Sequence, residues 1–549
     1  MHKLKELLIE RIGTGLKRKS IRTCSKWAGQ YRVMGQPYPG AWGFTHHPWL
    51  KDMLDCNSEL AIGQKSAQMG YTEWALNRSL YKIDMYGISV LYVLPCSNPD
   101  ASNFSTSRFD PALELSPHLK NLFSNVKNVH HKRAGSANLF IRGSRSRSQL
   151  KSDPVGMMVF DEVDEMNQEN IPLAMERMSG QVTKQALMLS TPTIENRGIN
   201  TYFKNSTQNH FFFKCPSCSK FIELSFPACL TITADNILDP KLSDSYIMCP
   251  ECGGVLPHEN KIEWLSTGEW VPSFEGRTSI GFYINQLYSP TIRPWEIAVA
   301  YLKSLINPTD EQEFFNSKLG LTHFVEGAKV TDADLDSCIK TRHMDDMIPT
   351  GGIITMGVDV GSWLHYEIDR WFIDGEPSPD ISTMARCEVL KVGKVKNFEE
   401  LPNLMIRNHA QFCVIDSQPE HRKALEFANS MYGHVRLCTY GKGLTAKEIR
   451  VGESHSVVVD RTSSLDLSLS RFKCEGRITL PLDTPLEYKE HVKALVRVYE
   501  TDKQGNQVGK YLKGDNDADH FAHARNYSEV ALPLAAGVAV SKSITEDVI

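Results

Sequence analysis

Lys65-Ser66-Ala67-Gln68-Met69-Gly70-Tyr71-Thr72 sets a lysine, a small polar turn, a glycine and a hydroxyl residue directly ahead of a helical pattern. A loop that runs into a helix offers backbone N–H groups and the positive end of a helix dipole to phosphate oxygens. Further along, Val155 to Glu162 reads as an apolar strand that ends in paired acids, Asp161-Glu162. In that order the two segments describe a site for ATP hydrolysis. Thr72 would ligate Mg²⁺, Asp161 would hold the metal directly or through water, and Glu162 would orient or deprotonate the attacking water. The usual loop is G-x-x-x-x-G-K-[ST]; here Tyr71 occupies the lysine position and Lys65 stands where the first glycine belongs. A long lysine can still reach β/γ-phosphate oxygens from the start of the loop, so the charge is relocated. Taken alone, the loop reads equally well as an ordinary strand–helix turn. The acid pair is what gives it chemistry.

Two further sets of residues could do chemistry. Cys215-Pro216-Ser217-Cys218 and Cys249-Pro250-Glu251-Cys252-Gly253-Gly254 form two C-x₂-C knuckles. Four thiolates fill a tetrahedral Zn²⁺ site and leave no open position, so the metal would be structural; a redox pair is the other reading of such cysteines. Beyond Gly352, acids stand at strand ends, Asp359 in IITMGVDV and Asp416 in FCVID, and a third group opens a C-terminal helix, Asp515 to His523. Acids on a first strand, a later strand and a C-terminal helix are the ribonuclease-H arrangement, in which converging carboxylates bind two Mg²⁺ or Mn²⁺ ions. Asp519 is the expected third ligand, with Asp517 and His523 as alternatives. A single acid at a strand end is most often a cap.

These residues need elements to position them. Ile88–Leu94, Met157–Phe160 and Ala186–Leu189 read as buried strands, with a helix over Glu73–Tyr86 between them. That alternation predicts an α/β fold with a largely parallel sheet. The third strand ends in Ser190-Thr191-Pro192-Thr193, a polar turn placed to sense the γ-phosphate, or simply a turn. After Gly352, strands over 353–360, 365–373, 385–392, 412–416 and 435–440 and a helix over 421–432 predict a second α/β domain. The expected domains are a basic arm at 1–36 and an ATPase motor at 37–345. Within the motor, a zinc-binding insertion covers about 209–262 and a linker about 290–345. A nuclease domain at 346–532 and a tail at 533–549 complete the chain.

At 549 residues, 41% hydrophobic and 23% charged, the composition is that of an ordinary globular protein. No apolar run approaches the roughly 18–20 residues that span a membrane; Val530–Val540 is short and proline-broken, and residues 1–5 do not read as a secretory signal. Nine of thirteen cysteines stand singly, which suits a reducing compartment. The net charge of −4 gives no argument for nucleic acid, but Lys127 to Lys151 carries seven basic residues and no acid, and Lys17-Arg18-Lys19 lies in a second basic stretch. Either fits phosphate-backbone contact or a solvated face.

The order of these parts resembles the large terminase subunit of tailed bacteriophages, and most closely the lambda-like branch, over residues 37–532. Leu150-Lys151-Ser152-Asp153-Pro154 and Gln286-Leu287-Tyr288-Ser289-Pro290 share in the likeness. The resemblance implies a P-loop ATPase of the ASCE type followed by an RNase H-like nuclease. It implies ATP-driven translocation of viral double-stranded DNA into a procapsid and endonucleolytic cutting of concatemers, with a small terminase subunit and the portal protein as partners. It also implies a homo-oligomeric ring when docked, in the host cytoplasm. Carried across, Lys65 and Thr72 become phosphate and Mg²⁺ contacts, and Asp161 and Glu162 the metal-water holder and base. Ser190-Thr191-Pro192 becomes the coupling element, and Asp359, Asp416 and Asp519 the nuclease ligands. Many relatives carry an aspartate where His523 stands. An adenine-stacking aromatic would be Trp49 or Phe44, and an arginine finger Arg142 or Arg145. A zinc-containing helicase or repair ATPase without nuclease activity, or an assembly protein with a decayed motor, are the rival readings.

Overall fold

The computed structural model describes residues 5, 22–124, 126–151, 154–348, 350–373, 375, 381–441, 450–451, 455–501 and 506–538. Lys17-Arg18-Lys19 and the end of the tail lie outside them. The chain forms two compact units, Met1–His323 and Phe324–Ile549. The division falls within the segment read from sequence as a linker. No helix among the described residues is long and apolar enough to cross a membrane.

The first unit is built on an eleven-stranded sheet. Its centre is parallel, with the strands Ile280–Ile284, Leu60–Lys65, Gln185–Ser190, Met157–Asp161, Val90–Leu94 and Ala137–Gly143 side by side. Runs such as VLYVL and MMVFD are buried at every position, as strands covered on both faces must be. The register sets Lys65 beside Ile284, Gln64 beside Ser190 and Asp161 beside Leu189, so these residues share the carboxyl edge of the sheet. Crevices at that edge are where open α/β sheets bind ligands. The helix after the loop runs Tyr71–Tyr86, between Gly70 at φ +81° and Gly87 at φ +65°. The Gly87 amide caps it by donating to the Ile83 and Lys82 carbonyls.

At the far side, Asn209–Lys214 joins the same sheet, parallel to Ile280–Ile284, and leads directly into the first cysteine knuckle. A small antiparallel sheet, Leu230–Thr231, Tyr246–Met248 and Val255–Leu256, brings the chain back to the second knuckle.

The second unit has an eight-stranded sheet. Ile353–Val360, Leu364–Phe372 and Arg386–Val395 form an antiparallel meander, and Ile353–Val360 also pairs parallel with Phe412–Asp416, which pairs with Val435–Gly441. The C-terminal helix, His520–Ala535, crosses the Ile353–Val360 strand so closely that a Cβ at Gly357 would run into the Ala524 carbonyl. The helix begins at His520, later than the sequence suggested. Asp515 and Asp517 are exposed residues ahead of it, and Asp519 holds the N-cap position.

Candidate active sites

At the carboxyl edge of the first sheet, Lys65 is buried and its Nζ lies 3.2 Å from Glu162 Oε1. Burial disfavours the ammonium, but Glu162 and Asp161 outweigh it and raise the Lys65 pKa, so the lysine stays charged. Asp161 is pushed up to about 7, first by burial and then by the neighbouring Glu162 carboxylate. Tyr92 donates to Asp161 Oδ2 at 2.6 Å, while Oδ1 is buried with no partner among the described residues. Such an orphaned carboxylate oxygen fits a metal ion or its water. Glu162 itself sits at φ +64°, a left-handed conformation that costs a non-glycine residue of order 1–3 kcal/mol. Its other oxygen is 3.5 Å from Ser190 Oγ, and Ser190 Oγ in turn accepts from the Asp164 amide at 3.2 Å.

The loop is held from below. Trp49 Nε1 donates to the Met69 carbonyl at 3.0 Å, Ser66 N to Ile284 O at 3.0 Å, and Ala67 N to Ser317 O at 2.8 Å. Gly320, at φ +67°, approaches so near that a Cβ there would meet the Ser66 amide. No side chain caps the Tyr71–Tyr86 helix, which leaves its first N–H groups for a ligand. Tyr71 turns into the core against Gly63 and Trp74, and Thr72 is half-exposed. Trp49 is fully buried beneath the loop and so is a support, not a stacking surface for adenine; Phe44 is half-exposed.

The basic run 127–151 is less of a cationic face than its sequence suggests. Lys132 is buried against Asp110, Lys127 pairs with Glu114, and Arg147 pairs with Glu169. Arg142 donates to the His130 carbonyl at 2.7 Å, whereas Arg145 is exposed.

In the second unit, Val358 pairs with Ile415, which brings Asp359 and Asp416 to the same end of adjacent strands. Burial, and next to it the Asp359 charge, raises the Asp416 pKa against the opposing bonds from Gln418 N and Tyr527 OH. Asp519 is buried, which opposes its ionisation, yet bonds from His523 at 3.2 Å and Lys513 at 2.7 Å hold its carboxyl well below the usual range. Tyr440 OH lies 2.8 Å from His523 Nδ1, so His523 bridges Tyr440 and Asp519.

Sequence reasoning missed two histidines. His365 is the cross-strand partner of Asp359, and His520 Nδ1 lies 2.7 Å from Asp359 Oδ2. Asp359, His365 and His520 each offer a ligand atom, and these lie within 4.8 Å of one another. Asp416 and Asp519 do not belong to that set. The register of a hairpin, Val360 to Leu364, was the available signal for His365.

The cysteines converge as their spacing requires. All four Sγ atoms lie within 4.8 Å of one another, with Cys215–Cys252 and Cys218–Cys249 at 4.0 Å. Sulfurs at the corners of a Zn–S tetrahedron of ~2.3 Å bonds stand about 3.8 Å apart, so the set fits zinc. Burial pushes the Cys215 thiol up, but the amides of Cys218 and Ser217 bring it down to about 7.

Two family models match the sequence. Residues 36–270 match the ATPase domain of phage terminase large subunit gpA, and residues 279–377 match the endonuclease domain of terminase large subunit gpA. Together they take in more than half of the chain. The chain belongs to the phage terminase large-subunit family. It carries an ATPase domain followed by an endonuclease domain, on a mixed α/β architecture. The loop, Asp161-Glu162, Ser190-Thr191-Pro192 and all four knuckle cysteines of this terminase fall inside the ATPase match, and Asp359 inside the endonuclease match. Asp416 and Asp519 lie beyond it.

Among solved structures, the HK97 bacteriophage large terminase aligns at 12% identity and a TM-score of 0.48, covering 94% of this chain and 98% of that one. The large terminase of thermophilic bacteriophage D6E aligns at 11% identity and 0.30, over 87% and 94%. The nuclease of thermophilic phage G20c aligns at 14% and 0.22, over 36% and 96%. The family assignment rests on the sequence models, not on these distant likenesses. No curated protein sequence matches this chain.

Proposed function

We propose that this protein drives viral double-stranded DNA into a procapsid with ATP and cuts concatemeric DNA, in the host cytoplasm, with a small terminase subunit and the portal protein, as a ring. The observation that carries this reading is the pairing, in one chain, of Lys65 and Glu162 at one sheet edge with Asp359 and Asp416 at another.

In the nucleotide site, Lys65 and the N-terminus of the Tyr71–Tyr86 helix would receive the phosphates, with Ser66 to Gly70 forming the loop between them. Mg²⁺, held by Thr72 and Asp161, would neutralise charge that builds on the phosphates. A γ-phosphate competes with Glu162 for Lys65, so nucleotide binding would free the Glu162 carboxylate to act as base. Ser190, touching Glu162, would report that release through Thr191, Pro192 and Thr193. Thr193 O accepts from Asn316 Nδ2 at 2.9 Å and from His323 N at 3.2 Å. The same segment bonds the loop through Ser317 and Gln64, which donates to Gly320 O at 3.0 Å. Loop and turn thus pull on one segment, which continues in sequence into the second unit. Arg145, exposed, is the better-placed arginine finger.

Lys65→Ala is expected to lose ATP turnover, and adding Tyr71→Lys is not expected to restore it. The side chain at 71 points into the core, where an ammonium is costly and out of reach of phosphate. A steady-state ATPase assay of the single and double variants checks this.

In the nuclease site, Asp359, Asp416 and Asp519 would hold divalent ions that activate water and stabilise the leaving 3′ oxygen. Lys513 and His523 keep Asp519 ionised and oriented. The test is cutting of supercoiled plasmid with Mn²⁺ or Mg²⁺. Asp359→Asn should reduce it at least about 10²-fold, the scale on which a group essential to transition-state stabilisation counts. Cutting at the parent rate in a folded Asp359→Asn protein would exclude the assignment.

The four cysteines would hold a structural Zn²⁺. One zinc per chain by elemental analysis is expected, and its removal should lower the melting temperature of the first unit by several degrees, because site formation and folding share one free energy. An unchanged melting temperature after verified zinc removal counts against a structural metal.

A further inference from the structure

We propose that His365 and His520 join Asp359 as direct ligands of one metal ion, so that this nuclease centre has a mixed nitrogen–oxygen ion site selective for Mn²⁺ and its first-row neighbours over Mg²⁺. The inference rests on the reading of Asp359 as a nuclease residue and adds the imidazoles to it.

Three observations carry it. One ligand atom each from Asp359, His365 and His520 lies within 4.8 Å of the others. His365 is 4% exposed, and its Nδ1 is buried with no hydrogen-bond partner among the described residues. A buried ring nitrogen left unpaired costs free energy unless something occupies it. Its other nitrogen, Nε2, is 4.0 Å from Glu487 Oε1, a carboxylate also held by Lys394 at 2.7 Å. At that distance Glu487 makes no hydrogen bond to Nε2, but it adds negative charge beside the site, which favours a cation there.

The backbone explains why the three converge. Asp359 and His365 are paired across one hairpin, and His520 is the first residue of the helix that crosses the same strand. The His365 and His520 rings lie parallel with centroids 4.6 Å apart, and His491 flanks both at 5.6 and 5.7 Å. At present the Asp359–His520 hydrogen bond of 2.7 Å occupies the edge that an ion would take. A metal would replace the shared proton, as ligand sites do on loading. Mg²⁺ prefers oxygen ligands and keeps its waters, whereas imidazole suits later divalent ions. An Asp-His-His set therefore discriminates against Mg²⁺ in a way that three carboxylates do not.

The test is pulsed EPR of Mn²⁺ added to the nucleotide-free full-length protein with its zinc left in place. The expected spectrum carries ¹⁴N modulation from directly bound imidazole, and a tenfold excess of Mg²⁺ does not remove it. In His365→Ala/His520→Ala the modulation should vanish and the Mn²⁺ dissociation constant should rise by at least the roughly 10–100-fold seen when outer-shell partners are lost. His365→Gln/His520→Gln, nearer in volume, should give the same result if the alanine pair folds poorly. Bound Mn²⁺ without ¹⁴N modulation, at an affinity unchanged in both double variants, overturns the inference. If that affinity still falls in Asp359→Asn, the carboxylate reading of the nuclease stands alone. If ¹⁴N-coupled Mn²⁺ binds while plasmid cutting ignores all three acids, the ion site stands and the nuclease reading fails.

Discussion

Glu162→Gln is expected to abolish ATP turnover while nucleotide binding survives. The glutamine keeps the shape of the side chain but cannot accept a proton. Loss of a positioned general base typically costs about 10²–10⁴-fold in rate. Binding should be retained or improved, because Lys65 is then no longer shared with a carboxylate 3.2 Å away. A coupled ATPase assay beside a fluorescent-nucleotide titration separates the two quantities. Turnover within a few-fold of the parent would remove Glu162 from the chemistry. A variant that loses binding as well would make the Lys65–Glu162 pair a structural support of the loop.

Arg525→Met is expected to unfold the second unit at a much lower temperature. Arg525 is fully buried and its guanidinium serves Glu367 at 3.2 Å, Glu529 at 2.9 Å and Asp369. Arg471 binds Glu529 at 2.6 Å from the other side, and both guanidiniums lie over the Trp371 ring, at 4.9 and 5.1 Å. Removing one partner of a buried ion pair typically costs about 3–5 kcal/mol, since the remaining charges stay out of water. At roughly 2–4 °C per kcal/mol for a unit of this size, the transition should fall by some 6–20 °C in a calorimetric scan.

Within this network three carboxylates face two guanidiniums. Burial, and then Asp369, drives the Glu367 pKa well above the usual carboxyl range, which favours its protonated form. Glu367→Gln should therefore cost less than about 1 kcal/mol, as a neutral donor replaces a neutral donor. The pH dependence of Arg525→Met follows with its sign. Carboxyls with raised folded-state pKa values contribute stability that is present at low pH and lost as pH rises. The deficit of the variant should therefore be smaller at pH 5 than at pH 8.

Much of the architecture was legible because its signals are local. The short apolar runs at Val90–Leu94, Met157–Phe160 and Phe412–Ile415 fit covered strands. The knuckles announced themselves by spacing, and their sulfurs converge. What could not be read is set by tertiary packing. Leu364–Phe372 alternates His365, Glu367, Asp369 with Tyr366, Ile368, which reads as a strand with one face in water. The structure buries that face under the C-terminal helix and satisfies it with Arg525. The two imidazoles beside Asp359 depend on the same crossing. Lys132 and Lys127 gave the impression of a basic face because Asp110 and Glu114, which neutralise them, lie on an earlier helical segment. The left-handed φ of Glu162 has no sequence signal at all, since glycine or asparagine would be the usual choice there.

One chain is proposed to hold two separate active sites, one for ATP and one for DNA cutting. The most direct measurement assays ATP hydrolysis and plasmid cutting on the same preparations of the parent, Glu162→Gln and Asp359→Asn. Each substitution is predicted to remove one activity and leave the other within about threefold, as expected for sites built from different units of the chain. Loss of both activities to either substitution in a protein that melts like the parent, or loss of neither, would contradict the two-site account.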